Sequence, residues 1–204
     1  MFNTEDVFHA AGSELLTRRG HELTPEIVGL MMGRRAEESF TALKNALDLK
    51  EDIHELLAES TEIFRGLLDQ ILAPMPGLFD LLNHIEDVKL PKGVATSSSR
   101  PYLNNILGRY DLHDRFHVML TAEDVSQGKP HPEIYLTAAN SLGISPSEML
   151  VLEDSEAGTR AAAAAEAVVV SIPHKHSQSQ DFSEASYIAD SLVDPWILDV
   201  INQK

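Results

Sequence analysis

A short apolar run, Met149-Leu150-Val151-Leu152, ends in two adjacent carboxylates, Glu153 and Asp154, and a helix-like pattern starts at once after them. This stretch constrains the fold more than any other. A buried strand that delivers acids to the carboxyl edge of a parallel sheet has this form, and that edge is where open α/β proteins bind ligands. Two neighbouring acids repel each other unless a positive charge sits between them, and a hard cation such as Mg2+ favours oxygen ligands. The same pair also suits loop acids, with Asp154 or Ser155 capping the next helix.

The rest of the chain has two rhythms. Residues 4–72 read as helices only, with segments at Val7–Arg19, Pro25–Met32 and Ala36–Leu47. A longer stripe follows through Ile53, Leu56, Leu57, Ile63, Phe64, Leu67, Leu68 and Ile71. Ala73-Pro74-Met75-Pro76-Gly77 breaks the pattern and marks a domain boundary. After it, strands at 93–96, 116–120, 149–152, 168–172 and 187–189 alternate with helical segments. Alternation of this kind argues for a parallel sheet with right-handed crossovers.

Two more strand ends carry polar groups. Gly93-Val94-Ala95-Thr96-Ser97-Ser98-Ser99 runs from an apolar strand into hydroxyls and a helix start near Pro101. Backbone N–H groups there, with the Thr96, Ser97 and Ser98 hydroxyls, suit an anion; a plain serine cap is the competing reading. In Gly128-Lys129-Pro130-His131-Pro132-Glu133, Lys129 is a cation on a stiffened base, suited to phosphate or carboxylate, or else an ordinary loop lysine. In a doubly wound sheet all three ends converge on one edge. Together they offer donors, one cation and a divalent-metal site, a set that stabilises a transferring phosphoryl group.

Composition removes several function classes. The formal net charge is −16, with 16 Lys and Arg scattered among 32 acids, which excludes a basic nucleic-acid face. No apolar stretch approaches the ~20 residues of a membrane span. Cysteine is absent, and Met-Phe-Asn-Thr-Glu-Asp at the start lacks the features of a signal peptide, so a cytoplasmic location is expected. A hydrophobic content of 43% over 204 residues is enough for one sizeable core plus a smaller unit.

The order Val94-Ala95-Thr96-Ser97-Ser98, then Gly128-Lys129-Pro130-x-Pro132, then Leu152-Glu153-Asp154-Ser155-x-x-Gly158 resembles the haloacid dehalogenase superfamily, in its β-phosphoglucomutase-like phosphatase branch. The resemblance covers essentially the whole chain. It implies a Rossmann-like α/β core (residues 74–204 plus 1–3) with an inserted all-helical cap (residues 4–73). It implies that Thr96 binds phosphate, that Lys129 holds phosphate and nucleophile together, and that Glu153 and Asp154 anchor Mg2+. Arg34 and Arg35, after Gly33, lie where the family's cap loop contacts substrate; a solvated helix start is the other reading. The substrate class implied is a small phosphorylated metabolite. The metal pair argues against the dehalogenase branch, whose chemistry needs no metal.

Two departures stand out. The family's nucleophile lies in an Asp-x-Asp-Gly motif on a first, central strand, shortly before a segment like Asn3-Thr4-Glu5. In this sequence Met1 falls directly inside that region, so no residue takes the nucleophile or acid/base role, and Asp6 lies on the wrong side of the segment. The chain as written is therefore expected to be inactive, with an upstream in-frame strand as the missing part. The alternatives are a phosphomutase, or a remnant that binds phosphate and Mg2+ without turnover. The second departure is Glu166, where the family has the glycine of an Ala-Gly-Ala helix end; a glutamate in the left-handed region costs on the order of 1 kcal/mol. His174 and His176 have metal-compatible spacing but no third ligand nearby, and read as surface residues.

Overall fold

The structure, a computed structural model, describes residues 1–31 and 36–203. The chain forms two compact units, Met1–Met75 and Pro76–Lys204.

The first unit holds α1 (Thr4–Thr17), α2 (Pro25–Met31), α3 (Ala36–Leu47) and α4 (Ile53–Ile71). The longest, α4, starts at a reciprocal cap. The Asp52 carboxylate accepts from the His54 N–H at 2.8 Å, and the Glu55 carboxylate accepts from the Asp52 N–H at 3.3 Å. This arrangement satisfies donors that a helix start leaves without partners. Leu56, Ile63, Phe64 and Leu68 form its buried stripe, and α1 packs against it with Val7, Ala11, Leu15 and Leu16 buried. Each fully buried leucine contributes about 1.5–3 kcal/mol. Arg19 ties the pair together, donating to Glu51 at 2.7 Å, to the Leu15 carbonyl at 2.8 Å and to Glu59. The unit's two ends run antiparallel. Phe2 bridges Pro74, and the Met75 N–H donates to the Met1 carbonyl at 2.8 Å.

In the second unit the order is α5 (Leu78–Asp87), β1 (Gly93–Ala95), α6 (Arg100–Gly108), β2 (Val118–Leu120), α7 (Glu133–Leu142), β3 (Leu150–Glu153), α8 (Glu156–Ala164), β4 (Val168–Ser171), β5 (Tyr187–Ile188) and α9 (Pro195–Asn202). All strand pairs are parallel. They fall into two sheets: β1 pairs with β2, and β3-β4-β5 form the other. Among the described residues no strand joins β1 to β3, so each keeps one backbone edge open.

One core cluster gathers Leu120, Ile134, Tyr135, Ala139, Met149, Val151, Ala161, Ala162 and Val169, with Ala95 and Val118 packed against it. It draws on both sheets, which is how α7 and α8 hold the two together. The alanine run of α8 serves this packing, since Ala161 and Ala162 are fully buried and their small side chains let the helix lie close to the strands. A second cluster, Leu81, Val170, Ala189, Ile197 and Ile201, lies under α5 and α9.

Glu166 has φ 63°, the left-handed conformation that the family resemblance implies for this helix end. Its N–H donates to the Ala163 carbonyl at 2.9 Å, and the Ala167 N–H to that of Ala162 at 3.1 Å. This is the usual left-handed closure of a helix, made here without glycine.

Candidate active site

Strand β3 carries Glu153 to its end as a buried carboxylate, 8% exposed. One oxygen, Oε1, accepts from the Lys129 ammonium and from the Tyr135 hydroxyl. The other, Oε2, accepts from the Ser155 hydroxyl at 3.1 Å and the Asp154 N–H at 3.2 Å. Burial alone would push this carboxyl up. The charge and hydrogen bond of Lys129, with the hydroxyls of Tyr135 and Ser155, outweigh burial and hold it below the usual carboxylate range. Ser155 also caps α8 by accepting from the Gly158 N–H at 3.1 Å. Gly158 faces the carboxylate directly: a Cβ there would lie well under 3.0 Å from it.

Lys129 reaches this point from a loop that is itself tied down. The two oxygens of Glu133 accept from the Ser126 and Gln127 N–H groups, each at 2.8 Å. The Lys129 ammonium donates to the Ala95 carbonyl at 3.1 Å, pairs with Glu153, and lies 4.9 Å from the centroid of the Tyr135 ring. One side chain therefore joins the end of β1 to the end of β3. Two of its three N–H donors are used.

At the end of β1, the Thr96 hydroxyl accepts from the Ser98 N–H at 3.1 Å, which leaves its own hydrogen free to donate. Ser97 is exposed, and Ser99 caps α6 by accepting from the Tyr102 N–H at 3.4 Å. Arg100 braces this turn. Its guanidinium donates to the Met119 carbonyl at 2.9 Å and pairs with Asp124, and its N–H donates to Glu123 at 3.1 Å. The N–H groups of Ser98, Arg100 and Tyr102 are thus already engaged within the protein.

Asp154 differs from Glu153. It is exposed, and among the described residues its carboxylate has no hydrogen bond or ion pair. Of the two acids expected to hold a metal, it is the one with open oxygens, the hard donor type that Mg2+ takes. Among the described residues no group of three or more His, Asp or Glu side chains is placed to hold a metal ion. Further oxygens would have to come from water, substrate or groups outside these residues.

Arg34 and Arg35 lie outside the described residues. His174 and His176 lie together, their rings 5.8 Å apart, and the His176 N–H donates to His174 Nδ1 at 3.2 Å. Sequence reasoning missed the roles of Tyr135 and of Arg100 with Asp124. Tyr135 lies two positions after the Gly128–Glu133 stretch, but its bond to a carboxylate 18 positions away has no local signal. Burial raises the Tyr135 phenol well above its ordinary value, and the charge of Glu153, their hydrogen bond and the charge of Asp154 add to this. It therefore acts as a donor at neutral pH.

The profile of the haloacid dehalogenase-like hydrolase family matches residues 1–172. The chain is 31% identical over 195 residues to the validoxylamine A 7′-phosphate phosphatase of Streptomyces hygroscopicus subsp. limoneus, covering 95% of this chain and 90% of that one. It is also 31% identical over 195 residues to YhcW of Bacillus subtilis (strain 168), provisionally named a phosphatase, covering 95% and 88%. Among solved structures, a Thermotoga maritima protein provisionally named a β-phosphoglucomutase superposes with a TM-score of 0.82 at 24% identity, covering 99% of this chain and 92% of that one. That likeness establishes an α/β fold of the same kind. Among the described residues, no helix is long and apolar enough to cross a membrane.

Proposed function

Because the chain belongs to the haloacid dehalogenase-like hydrolase family, we propose that it serves as a Mg2+-dependent phosphatase of a small phosphorylated metabolite. One observation carries the reading. The Lys129 ammonium spans Ala95 and Glu153, which sets a positive charge between the hydroxyls after β1 and the exposed carboxylate of Asp154. Two relatives with phosphatase names support the choice of phosphate as the group bound.

In this reading, phosphate oxygens accept from the Thr96 hydroxyl, from Ser97 and Ser98, and from the third N–H of Lys129. Asp154 supplies the open metal ligand. Glu153, named with it as a metal anchor, acts beside it through Lys129. Mg2+ would offset the negative charge that grows on the phosphoryl oxygens.

By the family resemblance the nucleophile is an aspartate, a role to which no residue of this sequence is assigned. Its carboxylate oxygen would bond to phosphorus as the ester oxygen leaves with a proton, and water would then release phosphate from the acyl phosphate. The strand that carries it belongs between β1 and β3, whose facing edges lack partners among the described residues. The same two open edges favour the companion reading, that the chain as written binds phosphate and metal but turns nothing over.

One pair of assays tests both statements. The 204-residue chain should hydrolyse no generic phosphomonoester above background. A version extended by an in-frame upstream strand ending in Asp-x-Asp-Gly should hydrolyse it with Mg2+ and lose activity in Asp154→Ala. Turnover by the 204-residue chain that depends on Asp154 would overturn the missing-nucleophile statement. An extended, folded version without turnover would overturn the phosphatase reading.

A further inference from the structure

We infer that Tyr135 is a positioning residue, whose hydroxyl and ring face together fix the direction of the Lys129 ammonium between β1 and β3. The inference rests on the proposed role of Lys129 as the cation that meets phosphate.

A lysine ammonium is a point charge on a flexible stem, with three donors free to rotate. Alone, such a group does not define where a phosphate oxygen should sit. Here it has three anchors from three elements: the Ala95 carbonyl of β1, the Glu153 carboxylate of β3, and the Tyr135 ring of α7. Fixing two N–H bonds fixes the third.

Tyr135 contributes to two of those anchors. It is 4% exposed, within the apolar cluster of Ile134, Ala139, Met149 and Val151. A phenylalanine would fill that space equally well, so packing does not explain the hydroxyl. A buried tyrosine hydroxyl needs a partner, and this one takes the oxygen that the ammonium also takes. The phenol and the ammonium converge on Oε1, while the Ser155 hydroxyl and the Asp154 N–H hold Oε2. With both oxygens pinned, the carboxylate cannot turn. Without the phenol, Oε1 is held by the ammonium alone, and the pair can move as a unit.

The test is NMR of the 204-residue protein labelled with 15N-lysine, with the Lys129 ammonium assigned by its loss in Lys129→Arg. In the unchanged protein its protons should exchange with water far more slowly than those of exposed lysines such as Lys50. Tyr135→Phe keeps the ring and removes the hydroxyl. It should speed the exchange about tenfold, the equivalent of one hydrogen bond to a charged group, while the backbone amide spectrum keeps its native pattern. Inorganic phosphate, titrated with Mg2+ present, should bind about tenfold more weakly to the same variant.

Tyr135→Leu removes the ring as well and should speed exchange further. In a Glu153→Gln background the effect of Tyr135→Phe should shrink, because the hydroxyl acts through that carboxylate. Unchanged exchange and unchanged phosphate affinity in folded Tyr135→Phe would overturn the inference, as would fully additive effects in the double variant. If the unchanged protein's Lys129 signal ignores phosphate while Tyr135→Phe still speeds exchange, positioning stands and the phosphate reading falls.

Discussion

Gly158→Ala is the substitution with the largest consequence for the least added volume. Residue 158 sits in the first turn of α8, where a methyl group raises helix propensity, and by that measure alone the change would stabilise by about 1 kcal/mol. The neighbour reverses the sign. A Cβ would lie well under 3.0 Å from the Glu153 carboxylate, on both oxygens and the carbon between them. An exposed glutamate could swing aside at little cost. This one is buried and held by Lys129, Tyr135, Ser155 and the Asp154 N–H. Displacing it separates a buried ion pair, which costs about 3–5 kcal/mol, against a whole-domain stability of about 5–15 kcal/mol. Urea unfolding followed by far-UV circular dichroism should therefore show a large fall in midpoint for Gly158→Ala. Gly128→Ala, in the same unit with open space around its Cβ, should change the unfolding free energy by less than about 1 kcal/mol. Shortening the acid in Gly158→Ala/Glu153→Asp should recover part of the loss. An unfolding free energy for Gly158→Ala within about 0.5 kcal/mol of the parent would refute the steric argument, because only a carboxylate free to move could absorb the methyl group.

Glu166→Gly should stabilise by about 1 kcal/mol, since φ 63° is strained for glutamate and open to glycine; an unchanged or lowered urea midpoint would contradict this. Glu86 accepts from Arg115 and Lys92, whose hydrogen bonds lower its pKa from 4.5 to about 2. Its contribution to stability is therefore complete above pH 4.5 and lost as pH falls toward 2. Glu86→Gln should flatten the fall in stability across that window, and an unchanged slope would mean the ion pairs do not persist in solution. If the proposed phosphatase reading holds, Asp154→Ala in an active form of the protein should weaken Mg2+ with partial rescue by excess metal, whereas Lys129→Ala should cripple turnover at an unshifted Mg2+ midpoint. Equal Mg2+ shifts in the two variants would show that their roles are not separable.

Much of the architecture could be read from the sequence because it is local. The change from an all-helical stretch to alternation falls at Ala73-Pro74-Met75-Pro76-Gly77; the structure divides between Met75 and Pro76, so that residues 1–3, 74 and 75, expected with the core, fall in the first unit, where their antiparallel backbone bonds hold them to each other. The apolar run before Glu153 forms β3, and Ser155 caps the helix after it. The left-handed position at Glu166 is implied by the resemblance, whose members have glycine at this helix end, and not by the residue type found here. Asp48, Lys89 and Asp111 adopt positive φ as well, without a glycine to announce them. The partners inside the site were not readable. Adjacent acids look equivalent in a sequence, yet burial gives Glu153 four donors and leaves Asp154 exposed. What separates them is the end of β3: Glu153 is its last residue and is buried, whereas Asp154 lies beyond it and is exposed. The link from Tyr135 to Glu153, and that from Arg100 to Asp124, depend on how α7 and α6 pack, which no local pattern encodes.

The charge balance of the site leads to a final prediction. The whole chain carries −16, so an incoming phosphate meets a repulsive field. Lys129 offsets this only in part, because its charge is matched by Glu153 within the same pair. Asp154 then leaves the cluster one negative charge in excess. In the proposed reading the hydroxyls of Thr96 and Ser97 would orient an anion, but they bring no charge. A divalent cation on Asp154 reverses the balance, from one net negative to one net positive. Phosphate and Mg2+ should therefore bind cooperatively, each strengthening the other by the same factor, as linkage requires; couplings of about 5–150-fold are typical between sites. The assay is calorimetric titration of inorganic phosphate into the protein with and without saturating Mg2+, then of Mg2+ with and without phosphate. Asp154→Ala should abolish the coupling. Asp124→Ala, which removes an acid outside this cluster, should leave it in place. Phosphate binding of equal strength with and without Mg2+ would refute the reasoning, because the Lys129 charge would then have to act on phosphate in spite of its pairing with Glu153.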